Sequence, residues 1–253
     1  MKIAIITGAS SGIGREFFLS AAEEFAQVDE FWLVARREEK LHELAALLPE
    51  KKSRVLPMDL TSEESLLALE QLLKTEQPQI SLLVNNVGFG TLGNFDAMHR
   101  STQTKMIDLN VRTLTALTSI ALPFMKRGDV IVNVCSIASF APNPRMTVYC
   151  STKAYVMSFS RSLREELKPR GINVLAVCPG PMRTEFLPVA GIEAGNSKTF
   201  DTLPYCEPKA VAAGALRSAK RGKAVYTNKF FFKFYRLLAK LLPHGFIMKF
   251  SKA

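Results

Sequence analysis

A chain of 253 residues, 47% hydrophobic and 22% charged, has the make-up of a folded globular protein, which excludes disordered and fibrous classes. Its length suits one large core and is too short for two roomy ones. The net charge of +10 suggests a nucleic-acid binder, yet eleven of the 33 basic residues lie from Lys209 onward, and no Asp or Glu follows Glu207. The preceding 207 residues hold 22 basic against 23 acidic side chains, so the basicity belongs to the C-terminal segment and nucleic acid is not an expected partner.

After Met1-Lys2 the chain passes into an apolar run, Ile3 to Ile6, too short for a signal peptide. Similar short runs recur at Phe31–Val34, Arg54–Pro57, Ser81–Val84, Val130–Val134, Ile172–Val177 and Ala224–Tyr226. Near-continuous hydrophobicity of this kind fits strands covered on both faces of a parallel sheet. Between them, helical periodicity predicts helices at Arg15–Ala26, at Glu38–Leu48 and from Thr61 or Ser62 through Leu73. Further helices are expected at about Met98–Met125, Val148–Leu167 and Pro208–Ala219. Alternation of strand and helix implies an α/β, Rossmann-like doubly wound fold: a mainly parallel seven-stranded sheet with helices on both faces. Residues 1–228 read as one domain, with 229–253 as a basic amphipathic helical extension of that domain or at its periphery.

Cys135, Cys150, Cys178 and Cys206 are widely spaced and form no metal or redox motif. His42, His99 and His244 form no ligand cluster, so no metal is expected. The longest late apolar stretch, Phe230 to Phe250, is interrupted by Lys233, Arg236, Lys240 and Lys249, which excludes a spanning helix. The expected location is the cytoplasm, or the periphery of a membrane.

The turn Thr7-Gly8-Ala9-Ser10-Ser11-Gly12-Ile13-Gly14 follows a strand and opens a helix, the context of a dinucleotide-binding turn. Its glycines let the backbone pass close to a pyrophosphate, and the helix N-terminus offers free N–H groups. The second strand ends in Arg36-Arg37 with no acid at its end. An NAD site wants a carboxylate there, whereas a 2′-phosphate wants guanidinium groups, so NADP(H) is the expected cofactor. The neighbouring Glu38 and Glu39 could instead tie these arginines up.

With these residues in view, the chain resembles the tyrosine-dependent short-chain dehydrogenase/reductase family. Thr7–Gly14 matches its T-G-x-x-x-G-[IL]-G, and Asp59, followed by Leu60, matches an acid that contacts the adenine amino group. Asn85-Asn86-Val87-Gly88 matches N-N-A-G with Val in place of Ala, and Pro179-Gly180 with Thr184 matches P-G-x-x-x-T beside the nicotinamide carboxamide. Asn110, Ser136, Tyr149 and Lys153 match the catalytic tetrad. The cofactor set implied by turn and resemblance together is Gly8, Ser10, Ser11, Gly12, Ile13, Gly14, Arg36, Arg37, Asp59, Leu60, Asn86, Val87, Gly88, Tyr149, Lys153, Pro179, Gly180 and Thr184. The resemblance also implies a homodimer or homotetramer.

Four residues apart on a helix, Tyr149 and Lys153 share one face. The ammonium, with the positive nicotinamide, is expected to lower a phenol pKa that starts near 10. The resemblance makes Tyr149 the proton donor to a carbonyl and Ser136 the hydrogen-bond donor to the same oxygen. Lys153 would hold the nicotinamide ribose, and Asn110 would hold a water leading to bulk solvent.

Substrate is expected beneath Pro181 to Cys206, where Met182, Phe186, Leu187, Val189, Ile192, Phe200 and Leu203 are apolar candidates. Phe89, Phe140, Asn143 and Met146 form a candidate opposite wall, and Arg183 is the one candidate clamp. Such a pocket suits a small-molecule acyl, steroid or aromatic carbonyl, or the matching alcohol. In the C-terminal extension Lys229, Lys233, Arg236 and Lys240 form a cationic stripe beside Phe230, Phe231, Phe234, Leu237, Leu238 and Leu241. Lys229 to Leu242 thus suits either a peripheral membrane contact or docking on the body or a second subunit. The expected function is NADP(H)-dependent carbonyl reduction. A non-catalytic NADP-binding sensor and a membrane-surface scaffold are the alternatives.

Overall fold

Strands sandwiched between two helical layers must be apolar in both directions, and the short runs satisfy this. The structure, a computed structural model, describes residues 1–193 and 195–250. Lys252 and the end of the 229–253 extension lie outside the described residues. The strands are β1 (Lys2–Thr7), β2 (Glu30–Ala35), β3 (Ser53–Pro57), β4 (Gln79–Asn85), β5 (Val130–Val134), β6 (Asn173–Val177) and β7 (Val225–Tyr226). They form one sheet in the order β3-β2-β1-β4-β5-β6-β7, and every pairing is parallel. The expected doubly wound architecture is present, and its strand order reverses between β1 and β4.

Alternate side chains serve opposite faces. Ala4, Ile6, Phe31 and Leu33 enter one core with Phe17 and Phe18 of α1 (Gly12–Glu24) and Leu41 and Leu44 of α2 (Glu38–Ala45). Ile3, Ile5, Trp32 and Val34 enter the other with Leu66, Leu69 and Leu73 of α3 (Glu63–Glu76). Ser62 caps α3, its hydroxyl accepting from the Ser65 amide.

The expected helix from Met98 to Met125 is interrupted. It divides into α4 (Arg100–Ile107), a π-helical turn at Asp108–Arg112, α5 (Thr113–Ala121) and a 3-10 turn at Leu122–Phe124. The extra residue in the π turn is held from both sides. The Thr113 hydroxyl donates to the Leu60 and Asp108 carbonyls at 2.9 and 3.0 Å, and Asn110 is fastened to Phe89.

The remaining helices are α6 (Thr147–Leu167), the short α7 (Phe186–Val189) and α8 (Lys198–Thr202), then α9 (Pro208–Lys220), α10 (Phe230–Leu241) and α11 (His244–Phe250). α9 packs on α1, where Ala21 and Ala22 meet a helix carrying Ala212, Ala215 and Ala219; small side chains let the two axes approach. None of the helices among the described residues is long and apolar enough to cross a membrane.

Phe18 is fully buried and meets Phe31 edge-on, with ring centroids 5.4 Å apart. Truncating it leaves a cavity between α1 and the sheet. Phe18→Ala is expected to cost about 3–5 kcal/mol in a urea equilibrium titration, without changing the fold that forms in its absence of denaturant.

Candidate active site

Where strand order reverses, the loops leaving β1 and β4 part and open a crevice at the carboxyl ends of the strands. Here the two loops are also tied together. The Thr7 hydroxyl donates to the Val84 carbonyl (3.0 Å) and accepts from the Asn86 amide (3.0 Å). In return, Asn86 Nδ2 donates to the Thr7 and Gly8 carbonyls at 3.1 and 3.2 Å. Beneath them, Asn85 Nδ2 donates to Thr118 Oγ1 and Asn133 Oδ1, and Asn133 Nδ2 donates to Ser160 Oγ, joining β4 and β5 to α5 and α6 through the buried core.

The crevice is a cavity of about 1170 Å³. Its first wall is the β1–α1 turn, where Gly8 and Gly12 take positive φ values of 64° and 55°. A Cβ on Gly14 would collide with the Gly8 carbonyl, so the glycine permits a close backbone crossing. Ser11 is the N-cap of α1 but its side chain makes no cap hydrogen bond, and no acid stands in the first turn. An uncapped N-terminus beside a glycine cradle fits a pyrophosphate, and these residues therefore fit a dinucleotide.

The two arginines after β2 differ. Arg36 lines the cavity, is exposed, and makes no ion pair among the described residues. Arg37 is held, though not by Glu38 or Glu39. Its guanidinium donates to Glu185 (2.8 and 3.3 Å) and to Ser10 Oγ (3.2 and 3.4 Å), linking strand β2 to the segment after β6. These hydrogen bonds from Arg37, with smaller help from Ser11, hold the Glu185 carboxyl below its ordinary range. Asp59 sits nearby with its carboxyl lowered by the Thr61 hydroxyl and amide, and Arg36 adds to that effect. Leu60, buried beside it, also lines the cavity.

Strand β5 delivers Ser136, whose hydroxyl accepts from the Ala138 amide (3.1 Å) and lies beside the Tyr149 phenol, favouring its ionised form. Tyr149 and Lys153 come from one face of α6, and the Lys153 nitrogen lies 5.7 Å from the centre of the Tyr149 ring. Lys153 Nζ donates to the Val134 carbonyl at 2.9 Å, which leaves two of its N–H groups for the cavity. Burial lowers its pKa. Gly88 makes room for this group, since a Cβ there would stand 2.8 Å from Asn110 Oδ1 and 3.5 Å from Lys153 Nζ.

Burial and hydrogen bonding act on two members of this set. The Tyr149 phenol, expected to fall, is pushed above its ordinary value, because burial outweighs the hydrogen bond from Ser136. The phenol therefore keeps its proton at neutral pH, the state a proton donor requires. Asn110 lies behind the cavity wall: its Nδ2 donates to the Phe89 carbonyl (2.9 Å) and Thr152 Oγ1 (3.0 Å), and its Oδ1 accepts from the Phe89 amide (3.0 Å). Both hydrogens of the amide are committed, so the side chain clamps Phe89.

The loop after β6 closes the site. Pro179 accepts from the Ile137 amide, and Thr184 lies in contact range of Gly12, so Pro179 to Thr184 arches to the glycine turn. Among the substrate candidates, Met182, Phe186, Leu187, Val189, Phe200, Leu203, Phe89, Asn143 and Met146 line the cavity. Ile192 is buried away from it, Phe140 packs under Tyr235 at 5.9 Å, and Arg183 stacks over Tyr205 instead of facing a ligand. Unforeseen members are Phe231, Phe232 and Tyr235 of α10. Phe232 is fully buried against Gly180, which leaves no space for a Cβ. The pair Phe232 and Ala239, seven apart, was the available signal for a docked face. Among the described residues, no group of three or more His, Cys, Asp or Glu side chains could hold a metal ion.

Known proteins share this arrangement. A family model described as short chain dehydrogenase matches residues 2–191. An uncharacterized oxidoreductase of Staphylococcus saprophyticus is 30% identical over 239 residues, covering 90% of this chain and 95% of that protein. A short-chain dehydrogenase from Sphingobium yanoikuyae, solved in complex with NADPH, superposes with a TM-score of 0.79 at 32% identity, covering 98% of this chain and 95% of that one. The bulky-bulky ketone specific alcohol dehydrogenase from Comamonas testosteroni gives 0.75 at 29% identity, covering 98% and 94%. The chain belongs to the short-chain dehydrogenase family and is an oxidoreductase of that family.

Proposed function

We propose that the protein reduces the carbonyl of an apolar ketone or aldehyde to an alcohol with NADPH, reversibly and in the cytoplasm. The observation that carries this reading is the meeting of Ser136, Tyr149 and Lys153 on the wall of the cavity that also holds the glycine turn and Arg36. Residues 1–228 supply that machinery, α10 supplies part of the pocket wall, and a homodimer or homotetramer is the assembly the resemblance implies. The NADPH complex of the Sphingobium relative and the bulky ketones of the Comamonas relative support the cofactor and an apolar substrate class.

In this reading the uncapped start of α1 and Gly8, Gly12 and Gly14 receive the pyrophosphate. Asp59 accepts from the adenine amino group, and Arg36 binds the 2′-phosphate. Val87, Gly88, Pro179, Gly180 and Thr184 bracket the nicotinamide, and the free N–H groups of Lys153 bind its ribose. The hydride that reaches the carbonyl carbon is the chemistry a bound NADPH supplies. Ser136 donates a hydrogen bond to the carbonyl oxygen and fixes it beside Tyr149 Oη. Tyr149 passes its proton to that oxygen as negative charge develops, and the resulting phenolate regains a proton from solvent. Asn110 is a positioning residue that acts through Phe89 and the Thr152 end of α6. Phe89, Met146, Phe186 and Phe200 surround the rest of the substrate with apolar surface.

Replacing the donor tests the chemistry directly. Tyr149→Phe is expected to lower the reduction rate about 10²–10⁴-fold while NADPH still binds; reduction at the wild-type rate would mean that another group gives the proton. A chain that binds NADPH yet reduces no ketone, aldehyde or 3-oxoacyl thioester would instead be a sensor.

Cofactor choice rests on Arg36. Arg36→Asp is expected to weaken NADPH by roughly 10- to 100-fold and to leave NADH nearly unchanged in fluorescence titrations. Equal losses for the two would remove the phosphate from this arginine.

The raised Tyr149 pKa fixes the sign of the pH dependence. Reduction needs the protonated phenol and is expected to stay level from neutral to mildly alkaline pH. Alcohol oxidation needs the phenolate, so its kcat/KM should climb about tenfold per pH unit over the same interval. A flat oxidation profile would show that the phenol has already lost its proton at neutral pH.

A further inference from the structure

Helix α10 has three faces rather than two. Phe232 and Ala239 turn inward and are buried, and Tyr235 packs on Phe140. Phe230, Phe234, Leu237 and Leu241, spaced four, three and four residues apart, form a stripe that stays in solvent, with exposures of 81, 51, 52 and 70%. Lys229, Lys233, Arg236 and Lys240 repeat the same spacing one residue earlier, about 100° away around the helix. None of these four cations makes an ion pair among the described residues. An apolar stripe of four large side chains left in water beside a parallel cationic stripe is the feature to be explained.

We propose that this outer face of α10 seats on an anionic lipid surface, with Phe230, Phe234, Leu237 and Leu241 entering the headgroup boundary and the cationic stripe meeting lipid phosphates. Charge decides between the available occupants. A second copy packed α10 on α10 about a twofold axis would set the same cationic stripe against itself, and α10 carries no Asp or Glu to neutralise it. An anionic leaflet satisfies both stripes at once. The contact is peripheral, since α10 has 12 residues and the described chain contains no spanning helix. Phe231 stands next to the stripe, half exposed, and also lines the cavity, so the lipid-facing surface continues into the pocket wall.

The test is flotation of the full chain with vesicles of phosphatidylcholine alone and of phosphatidylcholine mixed with phosphatidylglycerol. The expected result is strong partitioning to the mixed vesicles, weak partitioning to the neutral ones, and release from the mixed vesicles as salt is raised. Each lysine near an anionic leaflet contributes about fivefold to binding, so Lys233→Gln with Lys240→Gln should lose about 25-fold. Phe234→Ser with Leu237→Ser should abolish partitioning while keeping the wild-type melting temperature; if this central pair unfolds the chain, Phe230→Ser with Leu241→Ser at the more exposed ends gives the same readout. A full chain that stays in solution with both vesicles overturns the proposal, as does equal, salt-independent binding to the two. A dimer in sedimentation that the Phe234→Ser, Leu237→Ser variant dissociates, with no vesicle binding, assigns the face to a second copy instead.

Discussion

The tie between Thr7 and Asn86 holds the two sides of the crevice at a fixed separation. Parallel strands on either side of a strand-order reversal send their following segments in opposite directions, and nothing in the sheet itself controls how far they part. One hydroxyl and one carboxamide do so here, the hydroxyl both donating and accepting and the carboxamide donating twice. The glycine turn, the Asn86 to Phe89 segment and the Lys153 pocket all take their positions from it. The buried chain from Thr118 through Asn85 and Asn133 to Ser160 extends the control inward, so α5 and α6 inherit the register of β4 and β5. Each polar atom so placed would cost free energy if its partner shifted, which makes the arrangement specific as well as stable.

Much of the fold was legible because parallel strands announce themselves as unbroken apolar runs. Motif order made the cavity residues legible in the same way. What the sequence could not show were effects that depend on partners far along the chain. Asn110 gives no local sign of a π turn; the turn exists because its side chain is claimed by the backbone at Phe89, 21 residues away. Arg37 looked available for phosphate, or bound by its neighbours, and its actual partner is 148 residues away at Glu185. The direction of the Tyr149 pKa shift depends on burial, which a spacing of four residues from Lys153 does not report.

Charge shows a similar division between pattern and placement. Several cations of the body are engaged: Arg37 with Glu185, Lys153 with a carbonyl, Arg54 with Glu30 and Glu76. Arg36, on the cavity wall, makes no ion pair among the described residues, and its charge acts on nearby Asp59. The surplus near the C-terminus divides as well. Arg217 and Lys220 pair with Glu24 and brace α9 against α1, whereas the stripe on α10 has no such duty.

The contact between Phe232 and Gly180 gives α10 a standing unlike that of an appendage. A ring from α10 occupies the space that a side chain at position 180 would fill, and both residues border the same cavity. The pocket is thus completed by a helix that follows every strand, so a chain can possess every strand and every motif and still present an open-sided basin. Altering α10 is therefore equivalent to remodelling the pocket from outside, with the glycine recording in the body of the protein the shape of the helix that must arrive later.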